Sequence, residues 1–109
     1  MDSFCLYGDQ AWQRIAYDEL LTVAKQTGML YATPENSGCE GVYVEVARWN
    51  DRARQWQRFA FDKFFDGDVD GETAWQTCER VAAEINAASG CRHVTWVHAL
   101  PNYESEVAA

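Results

Sequence analysis

The densest chemistry in the chain is acidic. Asp66, Asp68 and Asp70 stand at alternate positions, separated by Gly67 and Val69 and followed by Gly71 and Glu72. Hard oxygen ligands at alternate positions, with a glycine at the sharp turn, can wrap a calcium ion. The same residues can instead form an exposed turn ahead of a helix. Asp70 or Thr73 would then cap the first free amides, with acids near the positive end of the helix dipole. Softer ligands are scattered. Cys91, His93 and His98 lie close in sequence, but on an alternating strand the two histidines point to opposite faces and do not easily share a zinc ion. Cys5, Cys39, Cys78 and Cys91 form no Cys-x-x-Cys pair. Cys39, in Gly38-Cys39-Glu40-Gly41, has no histidine or cation nearby in sequence to lower its pKa, so it reads as a plain thiol. No phosphate-binding glycine loop, serine-hydrolase elbow or paired-carboxylate signature can be defended. The expectation is therefore no metal, no cofactor and no catalytic residue. An enzymatic site assembled in space stays open.

Two short resemblances carry more specific expectations. Asp66 to Gly71 resembles the first half of an EF-hand calcium loop. That family closes its loop with a glutamate where this chain has Thr77, and places an apolar residue where it has Thr73. A tight calcium site is not expected. Phe59-Ala60-Phe61-Asp62-Lys63-Phe64 resembles the RNP1 motif of RNA-recognition motif domains. The resemblance implies a third strand whose aromatics stack on bases while a basic residue holds phosphate. Arg58, Phe59 and Phe61 are then the RNA-binding residues. The motif departs from the family at two places, with Arg58 for its glycine and Asp62 for its inward apolar residue. Phe4 to Tyr7 match the companion motif on the first strand only loosely. The competing reading is a hairpin whose aromatics pack on the helices or on a partner.

The elements that must position these residues follow from periodicity. Ser3 to Tyr7 reads as a brief strand ended by Gly8-Asp9. Asp9 is a plausible N-cap for a helix whose buried stripe is Trp12, Ile15, Ala16, Leu20, Val23 and Ala24, ending at Gly28. Thr33 to Gly41, with Pro34, Asn36, Ser37, Gly38 and Gly41, has a loop composition. Val42, Val44 and Val46 alternate with Tyr43, Glu45 and Ala47 as a strand should. Asn50-Asp51 offers a turn. Beyond it Gln57, Phe59 and Phe61 alternate against Trp56, Arg58 and Ala60 as the second arm of a hairpin. A helix over 51–65 is the rival, disfavoured because the Val-rich strand needs a neighbour. Trp75, Cys78, Val81, Ala82, Ile85 and Ala88 mark the buried face of a second helix ended by Gly90. Arg92 to Leu100 alternates as a last strand before Pro101. Strand, helix, strand, strand, helix, strand is the ferredoxin-like βαββαβ order: an α+β fold, an antiparallel sheet with both helices on one face.

The totals bound the function. The chain has 109 residues, enough for one domain, with residues 102–109 expected to be a frayed tail. Its formal net charge is −8 and 14% of its residues are aromatic. The first figure disfavours direct DNA binding and anionic membranes, and the second predicts aromatics at an interface. No apolar segment is long enough to span a bilayer and the start carries no secretory signal pattern, so a cytoplasmic setting is expected. Charge is unevenly spread. Residues 46–65 carry five basic against two acidic side chains, whereas residues 66–84 carry one against six. Size, acidity, aromatic surplus and lack of a catalytic motif resemble, in type only, small acidic phage-encoded inhibitors of the anti-CRISPR kind. That resemblance implies a non-catalytic protein in the host cytoplasm that occludes a basic, nucleic-acid-binding surface of a host protein complex. Asp66, Asp68, Asp70, Glu72 and Glu79 are the expected partner-binding residues, since such a strip can engage arginines as a run of phosphates does. Single-stranded RNA binding through the hairpin is the alternative. A small-molecule-binding or enzymatic α+β domain acting as a homodimer is the third.

Overall fold

The long Val-rich strand finds neighbours on both sides. The computed structural model of the chain describes residues 3–8, 13–36, 41–64 and 73–91. They form β1 (Ser3–Leu6), β2 (Arg14–Ala16), α1 (Tyr17–Thr27), β3 (Leu30–Asn36), β4 (Val42–Asn50), β5 (Gln55–Phe64) and α2 (Ala74–Ser89). One antiparallel sheet has the order β2-β1-β5-β4-β3. The protein is an α+β fold with a five-stranded sheet and two helices.

Both helices lie on one face of the sheet. Leu20 and Ala24 of α1 and Cys78, Val81, Ala82 and Ile85 of α2 share a core with Phe4, Leu30, Ala32, Val44, Val46 and Ala60. Alternation places the intervening residues on the opposite face. There Ala47, Trp49 and Trp56 form a second buried cluster against Tyr31. Trp49 and Trp56 meet edge to face with centroids 5.5 Å apart. The α2 start is a full capping box: Thr73 Oγ1 accepts from the Gln76 amide and Gln76 Oε1 accepts from the Thr73 amide. Both helices stop at left-handed glycines, Gly28 at φ 61° and Gly90 at φ 57°.

Residues 51–64 belong to a hairpin and not to a helix: β4 and β5 pair from Val42↔Phe64 to Asn50↔Gln55, and Phe65 lies outside the described residues. Four expectations need correction. The first helix begins at Tyr17, because Arg14–Ala16 is a strand in register with Ser3–Cys5. Helical spacing could not reveal that the edge of so short a first strand takes a partner. The supposed loop from Thr33 instead continues a strand, since Leu30 and Ala32 bury on the helix face and the whole of β3 pairs with β4. Pro34 is tolerated because β3 is an edge strand among the described residues, where a missing N–H costs no ladder bond. The sheet therefore has five strands among the described residues, not four, and their order is ββαβββα. Trp75 does not belong to the buried face of α2. The buried stripe runs through Thr77, Cys78, Val81, Ala82, Ile85 and Ser89, which leaves Trp75 on its rim. Asp9, Trp12, Cys39, the strand expected at Arg92 to Leu100, both histidines and the tail lie outside the described residues.

Candidate functional site

Three places concentrate polar or aromatic groups. The first is on the sheet face away from the helices. Glu45, in the middle of β4, is 1% exposed. Its Oε2 accepts a 2.8 Å hydrogen bond from the Tyr7 hydroxyl. Arg58 Nε stands 3.1 Å from its Oε1, an ion-pair contact without hydrogen-bond alignment. The Arg58 guanidinium also lies 5.2 Å from the centroid of the Tyr7 ring. Burial, and then the Glu45 charge and hydrogen bond, push the Tyr7 phenol far above its usual pKa, with Arg58 opposing. A phenol held neutral and bonded to a paired carboxylate is a structural lock; it is neither a base nor a nucleophile at neutral pH.

The second place is the hairpin that carries Arg58, Phe59 and Phe61. A β-bulge interrupts it: Val46 pairs with Ala60, but Ala47 pairs with Arg58, so Phe59 is the extra residue. The bulge breaks the expected alternation. Phe59 packs against the helix-side core with the Arg48 guanidinium 5.9 Å from its ring centroid. Phe61 lies on the opposite face against Tyr7, centroids 5.0 Å apart. The two phenylalanines are thus divided between faces, and Arg58 is committed to Glu45.

The third place is the start of α2. Trp75 is 39% exposed and is the exposed large apolar side chain among the described residues. Glu79, one turn on, is exposed beside it. Asp66, Asp68, Asp70 and Glu72 lie outside the described residues. The capping box at Thr73 means that α2 needs none of them as its N-cap. On the helical layer, Tyr17 Oη donates to Glu84 Oε1 at 2.6 Å, and Arg80 Nη1 lies 3.0 Å from Glu84 Oε2. Glu84 is held below the usual carboxylate pKa, chiefly by the Tyr17 hydrogen bond, with weak burial opposing and Arg80 adding.

Among the described residues no group of three or more His, Cys, Asp or Glu side chains could hold a metal ion. No helix among them is long and apolar enough to cross a membrane. Compared with known proteins, the chain matches no family model, no curated sequence and no solved structure.

Sequence reasoning missed the Tyr7–Glu45–Arg58 cluster. The signal was a lone acid between valines, Val44-Glu45-Val46, in a strand that needed both faces covered. It also missed Trp75, since a residue on the rim of a stripe shares the period of those inside it.

Proposed function

We propose that the chain is a non-catalytic protein-binding domain, an inhibitor of the small phage-encoded, anti-CRISPR-like type that occludes a basic, nucleic-acid-binding surface of a host complex in the cytoplasm. Trp75 carries the reading. An indole 39% exposed on the first turn of a well-capped helix presents a large apolar surface to solvent. Trp is the residue most often found at the energetic centre of interfaces. It stands three residues after Glu72, the last of the acidic run Asp66, Asp68, Asp70 and Glu72, and has Glu79 one turn away. An aromatic anchor beside carboxylates suits a partner that presents arginines around an apolar pocket.

The fold is read as a ferredoxin-like derivative. β1 and β4 are both antiparallel to β5, so they run parallel with β5 between them and α1 in their connection, the split βαβ arrangement.

The test is binding to a target recovered by pull-down from a host lysate. Asp68→Lys plus Asp70→Lys is expected to slow association, more so at low salt, and to leave folding nearly unchanged. Trp75→Ala is expected to speed dissociation. Glu104→Lys plus Glu106→Lys should do much less. Equal affinity of all variants and parent would overturn the reading. Retardation of bare single-stranded RNA, lost in Phe61→Ala, would favour the RNA-binding alternative instead.

A further inference from the structure

At the hairpin end of the sheet, beside the turn from α1 to β3, lies a cleft of about 420 Å³ lined by Met29, Arg48, Trp49, Asn50, Asp51 and Gln57. That volume is in the range of sites that hold small organic molecules. The cleft is built and not incidental. The Trp49 amide donates to the Met29 carbonyl at 2.8 Å, which clasps the turn against the end of β4. Arg48 and Gln57 are cross-strand partners. Asn50 Nδ2 donates to Gln57 Oε1 at 3.1 Å, and Asn50 Oδ1 accepts from the Ala53 amide. Gln57 therefore keeps its amide nitrogen as a donor.

Arg48 is the unusual member. Arg14, Arg54, Arg58 and Arg80 each hold a carboxylate: Asp62, Asp51, Glu45 and Glu84. Exposed Arg48, like Arg52 at the hairpin turn but unlike it within the cleft, has no such ion pair among the described residues, although acids outnumber bases 17 to 9 in the chain. Its guanidinium is placed by the Phe59 ring, an arrangement that orients the planar fork without using its charge. The lining acid, Asp51, is already engaged by Trp49 Nε1 and Arg54 at 3.3 Å each.

We propose that this cleft binds a small organic monocarboxylate with an apolar body, the carboxylate on the Arg48 fork and the Gln57 amide nitrogen. One cation and one neutral donor suit a single negative charge. A phosphate dianion would face Asp51 and the field of a molecule at −8. Met29 lines the cleft and supplies apolar wall for the body of the ligand, whereas the Trp49 indole is buried on the opposite face and Trp49 borders the cleft at the backbone clasp. The site shares no residue with Trp75 and the acidic run, so it stands or falls independently of the protein-binding reading.

The experiment is titration of the full chain with benzoate, with inorganic phosphate and benzylamine as comparison probes, followed by calorimetry and by the amide and indole resonances of Gln57 and Trp49. Expected is saturable one-to-one benzoate binding that shifts those resonances, weakened by roughly tenfold or more in Arg48→Gln and unchanged in Arg52→Gln. Arg48 is exposed, so its replacement leaves the fold intact. Gln57→Leu serves as a second variant, expected to weaken benzoate with the carboxylate-independent contacts kept. No saturation, equal binding by Arg48→Gln, equal weakening by Arg52→Gln, or equal binding of phosphate or benzylamine would each overturn the proposal.

Discussion

A carboxylate in the middle of a sheet stays charged only while its partners hold it. Glu45 depends on Arg58 and Tyr7, and the two contributions differ in kind. Removing Arg58 leaves a buried charge without its counter-ion, whereas removing the Tyr7 hydroxyl removes one hydrogen bond. Arg58→Ala is expected to destabilise by about 3 kcal/mol and Tyr7→Phe by about 1 to 2 kcal/mol, measured by urea denaturation. The reverse ranking would show that the ion pair is not what stabilises the carboxylate. RNA assays on Arg58→Ala would therefore report folding as much as contact, which makes Phe61→Ala the cleaner probe. Glu84 gives a pH test. Its folded pKa is lowered, so the stability it contributes is present above its unfolded value, near pH ~4, and is lost as pH falls through the folded value. Tyr17→Phe should raise the Glu84 pKa in a carboxyl NMR titration and flatten the loss of stability below that pH. Cys78 is fully buried, and burial followed by the Asp62 charge pushes its thiol up to about 11. It should resist thiol reagents at pH 8 until denaturant is added.

Elements meet where β3 forms the edge of the sheet among the described residues. Asn86 of α2 treats Ala32 as a neighbouring strand would: its Oδ1 accepts from the Ala32 amide at 2.7 Å and its Nδ2 donates to the Ala32 carbonyl at 2.8 Å. Two residues earlier the Leu30 amide donates to Ser89 Oγ at 3.2 Å. Two residues later Pro34 has no amide hydrogen to present. A helix side chain, a hydroxyl and a proline thus close an edge that could otherwise recruit another chain. Asn86→Ala leaves both Ala32 groups without these partners. It is expected to cost about 2 to 3 kcal/mol in urea denaturation and to raise self-association in sedimentation velocity. Unchanged stability would mean that the edge is not held through this amide.

Over the whole molecule, the charge distribution outweighs any single ion pair. Acids dominate the chain except at the hairpin, where residues 46–65 carry five bases against two acids. The exposed surface pairs Arg54–Asp51 and Arg80–Glu84 contribute little each. Their sum does not cancel a net of −8. If the acidic end meets a basic partner, raising ionic strength should slow association steeply and change dissociation little. A target whose association rate ignores salt would argue that Trp75, and not the field, drives the encounter.

Periodicity in the chain was enough to determine the α+β class, the presence of two helices, their αL stops at Gly28 and Gly90, and the hairpin that pairs the Val-rich strand with Gln55–Phe64. These are local properties: an apolar stripe, a glycine after it, alternation across a turn. Tertiary structure decided the rest. Arg14–Ala16 became a strand because the edge of β1 takes a partner, and Leu30–Asn36 because β4 has two edges, neither of which a local window registers. The bulge at Phe59 placed Phe59 and Phe61 on opposite faces, a change of one residue in register that strict alternation cannot anticipate. Glu45 could be recognised as buried only once Tyr7 and Arg58, 38 residues before it in one case and across the hairpin in the other, were brought to its carboxylate. Side chains acquire such roles from neighbours that are distant in the chain, and the fold alone supplies those neighbours.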